Sequence, residues 1–232
     1  EQRSAKKAAV IGGGFIGLEM AENLKKRGLG VSIVEMQKHV MPAIDEEMAA
    51  PIHAHLKSSR IPLRLGSPVT GFQQLDTGKI LISLASGETE RVDMVILSIG
   101  VRPEIELARS AGLKIGALGG IQVDEFMQTS DPHIWAVGDA VEVKDCITGS
   151  NNLVPLAGPA NRQGRIAADA ISGRPDASGF RGVQATAVCG VMGMTIASTG
   201  ATEKTLKKTS IHGKPVLYEK IYAHPDHTAS YY

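Results

Sequence analysis

Two hydrophobic rhythms succeed each other along this chain. Four apolar residues run together from Ala8 to Ile11, and glycines then crowd at Gly12, Gly13, Gly14 and Gly17. Behind them Ile16, Met20 and Leu24 recur at i, i+4 and i+8 with Leu18 and Ala21 beside them, which is the spacing of one helical face. Lys25, Lys26 and Arg27 suit the negative end of a helix dipole, and Gly28 is placed to end the helix. A second apolar run over 31–34 stops at Glu35. The order predicted is strand, glycine turn, helix, strand, acid.

Residues 36–44 read as a connection, and Asp45 as the N-cap of a second helix with Met48, Ile52 and Leu56 on one face and a kink at Pro51. A short strand over 61–65 follows. The rhythm then shortens: 68–74, 79–85 and 89–92 are separated by Asp76-Thr77-Gly78 and Ser86-Gly87, which predicts an antiparallel meander. The unbroken apolar run 94–99 is expected at the centre of a sheet, with Pro103 starting a helix. Further strands are expected over 121–123 and, buried, over 134–137. Pro155 and Pro159 lead into a helix with Ile166, Ala167, Ala170 and Ile171 on its apolar face. Residues 175–179 read as a linker, and 183–198 and 216–222 as strands of another sheet around a helix-like 203–208.

The chemistry sits where strands end. Gly12 permits a sharp exit from the first strand, Gly14 lets backbone approach a pyrophosphate, and Gly17 lets the helix pack closely on the sheet. The helix turns its first N–H groups and its positive dipole end to the phosphates. At the end of the next strand, the Glu35 carboxylate is placed to accept two ribose hydroxyls and to repel a 2′-phosphate. Gly100 ends the 94–99 run, either as a point of close ligand approach or as an ordinary loop glycine. Gly138-Asp139 delivers a carboxylate to a strand end, to bind a sugar hydroxyl or to make a plain turn.

Composition narrows the field without adding chemistry. A net charge of +1 gives no electrostatic case for nucleic acid or an acidic partner. No apolar run is long enough to cross a membrane as a helix, and residues 1–7 lack the apolar stretch of a signal peptide, so a soluble, cytoplasmic protein is expected. Cys146 and Cys189 form no metal-ligand or C-x-x-C pattern and read as reduced. His224 and His227 read as a polar loop, so no metal site is expected.

Four motifs, VIGGGFIGLEMAE (10–22), ILSIGVRPE (96–104), TSDPHIWAVGDAVEV (129–143) and PLAGPANRQGRIAA (155–168), resemble the pyridine nucleotide-disulfide oxidoreductase superfamily of flavoproteins. The tail, with STGATE (198–203) and HPDHTASYY (224–232), resembles the branch of coenzyme A-disulfide reductases, NADH peroxidases and NADH oxidases. The resemblance implies a Rossmann-like α/β FAD/NAD(P)-binding fold with an antiparallel β-meander insertion, plus the start of an α+β dimerisation domain. It divides the chain into an NAD(P)-binding domain (1–118), a returning segment of the FAD domain (119–178) and the beginning of the interface domain (179–232).

It also implies roles. Gly12, Gly14, Ile16, Gly17 and Glu35 go to the nicotinamide dinucleotide, NAD(H) ahead of NADP(H), with Gly100 near its ribose or nicotinamide end. Phe15 matches an aromatic that covers the flavin until nicotinamide displaces it, and Glu19 a residue near the nicotinamide. Gly138 and Asp139 go to the FAD ribityl region, Leu156 and Ala157 to a loop beside the flavin ring. Tyr231 and Tyr232 resemble tyrosines near the substrate site across a dimer interface. The family's first FAD motif and the redox cysteine after it are missing here, so no catalytic residue is assigned. The chain therefore reads as a fragment of a homodimeric enzyme passing hydride from NAD(P)H to FAD and on to a disulfide, peroxide or oxygen. On that reading the fragment alone is inactive and holds little FAD. A flavin-dependent ferredoxin or rubredoxin reductase and a non-catalytic NAD-binding module are the alternatives.

Overall fold

The computed structural model of the protein describes residues 5–211 and 214–223. The apolar run forms β1 (Lys7–Ile11), the helical pattern forms α1 (Phe15–Lys26), and the second run forms β2 (Gly30–Val34). After α2 (Glu46–Ser58) comes the short β3 (Leu63–Arg64). The meander is β4 (Val69–Gln74), β5 (Ile80–Leu84) and β6 (Thr89–Val92), paired antiparallel in that order, and β7 (Met94–Leu97) follows. The main sheet is parallel, in the order β3-β2-β1-β7.

Alternation along β1 explains why its whole run is apolar. Ala8 and Val10 face the helices, where they meet Leu18, Ala21, Ile33, Ile52 and Leu56. Ala9 and Ile11 face the meander, packing with Ile82, Leu84 and Val92. A strand covered on both faces has no polar side. Glu90 of β6 ties the two layers, accepting hydrogen bonds from Ser32 Oγ at 2.9 Å, Lys7 Nζ at 2.9 Å and Arg64 Nε at 3.2 Å. Burial pushes its carboxyl up, but these donors outweigh burial and hold it below the usual range.

Several elements depart from expectation. β7 is an edge strand among the described residues rather than a central one, and Leu97 and Ile99 are 61% and 76% exposed. The buried face of α1 carries Gly17, Leu18, Ala21 and Leu24, while Ile16 is 52% exposed, because the apolar stripe lies one position further round than the i, i+4, i+8 set suggested. α2 continues through Pro51 without a break. α3 (Glu106–Ser110) begins after Pro103, not at it. Residues 121–123 and 134–137 make only isolated bridges, Ile121 to Ile115 and Val141, and Trp135 to Gln128, and Ile134 and Val137 stay exposed for want of a flanking ladder.

A hairpin not foreseen, β8 (Glu142–Lys144) with β9 (Asn151–Leu153), builds a separate core with Ile121, Val154 and Val183. α4 (Ala157–Ile171) takes Pro159 into its first turn, where a missing N–H costs nothing. A further hairpin, β10 (Ala187–Val191) and β11 (Met194–Ser198), packs on α1 and puts Cys189 and Val191 into the first core. α5 (Glu203–Leu206) follows, and 216–222 is not a strand.

Candidate functional site

The glycine turn is built by contacts that exclude side chains. Gly12 has φ +106°, and a Cβ there would lie 2.2 Å from the Ser98 carbonyl oxygen at the end of β7. A Cβ on Gly17 would lie 2.0 Å from the Gly12 carbonyl oxygen. These two positions therefore need glycine for the protein's own packing. Gly14 differs: nothing lies within 4 Å of where its Cβ would be, so the protein's own packing does not require glycine there. Gly14 is also the N-cap of α1, no side chain caps that end, and no acid stands in the first turn. The first amides and positive dipole end of a twelve-residue helix thus face an open surface.

Glu35 lies beside this turn, and it does more than sequence suggested. It is 5% exposed, with Oε2 accepting the Gly13 N–H at 2.6 Å and Oε1 the Gln37 N–H at 2.7 Å. The carboxylate therefore shapes the loop it flanks while keeping lone pairs for hydroxyl donors. The Gly13 carbonyl accepts the Met41 N–H at 2.7 Å, tying the loop to the 36–44 connection. Phe15 is half-buried against the first core, and Ile16 and Glu19 point outward from α1. Gly100 has φ +109° with open space before it, two residues after the Ser98 carbonyl that abuts Gly12. Gly12, Gly14, Gly17, Glu35 and Gly100 thus meet at one place, the carboxyl edge of the parallel sheet.

Gly138, Asp139, Leu156 and Ala157 form a second group, attached to the core of Ile121, Val141 and Val154. Gly138 has φ +87° with open space before it, and Asp139 is exposed beside it. Leu156 is the N-cap of α4 and Ala157 its first residue, again with no side-chain cap and no first-turn acid. Gln163, which sequence reading passed over, joins the parts: it is 2% exposed and its Oε1 accepts the Gly138 N–H at 2.7 Å. Its signal was a polar residue one helical turn before the buried Ala167 on the same face of α4.

A cavity of about 650 Å³ lies elsewhere, between Gln122–Glu125, Glu142–Lys144 and Phe180–Gly182, and none of the candidate residues lines it. The chemical features, not the volume, mark the site. Cys146 is exposed, its Sγ donating to the Arg181 carbonyl at 3.2 Å. Cys189 is 1% exposed, and burial, with Glu19 and Glu22 nearby, pushes its thiol up to about 11. Cys189 lies in the core behind α1 with Leu18 and Ala21. His224, His227, Tyr231 and Tyr232 lie outside the described residues. No helix among the described residues is long and apolar enough to cross a membrane.

Comparison with known proteins shows the family. The family described as pyridine nucleotide-disulphide oxidoreductase matches residues 1–164. An NADH oxidase of Methanocaldococcus jannaschii is 43% identical over 203 residues, which cover 87% of this chain and 44% of that protein. A crystal structure of reduced CoADR-RHD from Bacillus anthracis superposes with a TM-score of 0.84 at 49% identity, covering 89% of this chain and 36% of that one. An NAD-dependent persulfide reductase from A. fulgidus gives 0.85 at 39% identity, with 89% and 38% covered. The chain spans less than half the length of these relatives.

Proposed function

The chain belongs to the pyridine nucleotide-disulphide oxidoreductase family, and from that premise we propose that it is the nicotinamide-binding part of a flavoprotein that passes hydride from NAD(P)H to FAD and on to a disulfide, peroxide or oxygen. The observation that carries the reading is the open face at Gly14 on the uncapped end of α1, with the Glu35 carboxylate anchored next to it. A pyrophosphate there receives the helix amides and dipole, and Glu35 receives the ribose hydroxyls. A 2′-phosphate would meet the same carboxylate, which favours NAD(H) over NADP(H).

The second group suits FAD by the same test. Gly138 is open, α4 presents an uncapped N-terminus, and Asp139 offers a free carboxylate to polyol hydroxyls, with Gln163 holding the Gly138 turn against the helix. A bound flavin supplies the two-electron relay between nicotinamide and acceptor. Phe15, half-buried at the start of α1, is positioned to cover or release the nicotinamide pocket, and Ile16 and Glu19 flank it. Leu156 and Ala157 border the ring. The boundaries 1–118, 119–178 and 179–232, a homodimeric whole protein, a thiol or small-molecule acceptor and a cytoplasmic location complete the proposal; the two unpaired cysteines support the last.

Titration with NADH and NADPH tests it. The protein binds NADH more tightly, and Glu35→Ala weakens NADH by about tenfold, the worth of one charge-assisted hydrogen bond, while narrowing the gap to NADPH. An unchanged preference removes Glu35 from the ribose.

A further inference from the structure

The glycine turn is held from behind by a histidine that no ligand-binding role requires. His53, half-buried on α2, has its Nε2 3.1 Å from the Val40 amide and accepts its hydrogen. Only the neutral, Nδ1-protonated ring can do so. Val40 and Met41 are fully buried, and Met41 sits at φ +53°, a backbone conformation that a non-glycine residue keeps only when its surroundings impose it. That conformation aims the Met41 N–H at the Gly13 carbonyl, 2.7 Å away, and sets Val40 Cγ1 where a Cβ on Gly13 would come within 2.9 Å of it. Gly13 in turn donates to Glu35.

We propose that His53 is a positioning residue for the dinucleotide loop, its neutral imidazole fixing the Val40–Met41 bend that fixes Gly13, so that protonation of His53 loosens the loop and lowers dinucleotide affinity. This rests on the reading of the 12–17 turn as the nicotinamide dinucleotide site. The groups facing His53 are His39 from the 36–44 connection and Glu46 from its own helix. Burial is the main influence that lowers the ring's pKa below 6.5; His39 adds to it and Glu46 opposes it. His39 cannot substitute, since its Nδ1 donates to the Val40 carbonyl at 2.8 Å and keeps that proton in either charge state. The sign follows: the acceptor is intact above the ordinary histidine pKa and is lost as pH falls through the lowered one.

The test is NAD+ affinity across roughly pH 5 to 8 for the wild type, His53→Gln and His53→Leu, with the His53 titration followed by NMR. Glutamine places an uncharged acceptor close to the Nε2 position, so His53→Gln binds as the wild type does at high pH and stays flat. The wild type loses about three- to tenfold in affinity through the His53 midpoint, the range of one net hydrogen bond, and His53→Leu is weakened to that extent throughout. If His53→Leu does not fold, the wild type and His53→Gln profiles decide the matter by themselves. Identical profiles for those two, or a folded His53→Leu with wild-type affinity, overturn the proposal and leave the nucleotide reading standing. Absence of NAD+ binding by the wild type at high pH overturns that reading and the proposal with it.

Discussion

Glu35→Gln is the sharpest probe of the glycine turn, because it changes a charge and a donor pattern without changing shape. Both carboxylate oxygens accept backbone hydrogens, from Gly13 at 2.6 Å and from Gln37 at 2.7 Å, in a side chain 5% exposed. A carboxamide has one accepting oxygen and one donating nitrogen, so whichever way it turns, its N–H faces a backbone N–H. At least one charge-assisted bond is lost, at a cost of about 2 kcal/mol. For a chain of this size that lowers the melting temperature by about 4–8 °C. Thermal unfolding followed by circular dichroism measures the shift, and amide exchange at Gly13 localises it. If the variant melts within about 1 °C of the wild type and the Gly13 amide stays protected, the two hydrogen bonds do not hold the loop and the structural role given to Glu35 is wrong.

Two further outcomes follow from the C-terminal part. Asp45 is the N-cap residue of α2, but its carboxylate makes no cap bond there; it accepts the Glu203 and Lys204 amides at 2.9 and 3.1 Å and so serves the start of α5, beside the Thr202 cap. Asp45→Ala should therefore detach α5 at a cost of about 1 kcal/mol without unwinding α2, and circular dichroism showing loss of α2 would contradict this. Lys207, Lys220 and Tyr218 bond to Glu203 and hold its carboxyl down to about 2. A depressed carboxyl keeps its contribution above its ordinary 4.5 and loses it as pH falls towards about 2, so the segment carrying Tyr218 and Tyr222 should undock only within that window. Limited proteolysis that frees it near neutral pH would refute the contact. Alkylation with iodoacetamide at about pH 8 should label the exposed Cys146 and spare Cys189, whose thiol is buried and pushed up to about 11, and equal labelling would show that β10 does not pack as described.

The resemblance to flavoprotein reductases rested on short motifs, and those motifs hold the positive-φ glycines Gly12, Gly100 and Gly138 and the starts of α1 and α4. That agreement has a physical cause: a glycine turn, a helix start and a strand-end acid are specified by residues close in sequence.

β1, the turn, α1, β2 and Glu35 were thus legible from apolar spacing and glycine placement alone, and so was the meander, whose turns carry Gly78 and Gly87 at positive φ. What sequence could not decide were the pairings between distant segments. It could not say that β7 would lie at an edge among the described residues with Leu97 and Ile99 exposed, since an apolar run looks the same in the middle of a sheet and at its margin. Nor could it say that Asp45 would serve the start of α5, that Gln163 would hold Gly138, or that β10 would place Cys189 against α1. Local hydrogen bonds and hydrophobic period act over a few residues, whereas the partner of a buried polar group is set by which segments the folded chain brings together. The glycine turn came from the sequence; the carboxylate, amide and histidine contacts that hold it came from tertiary structure.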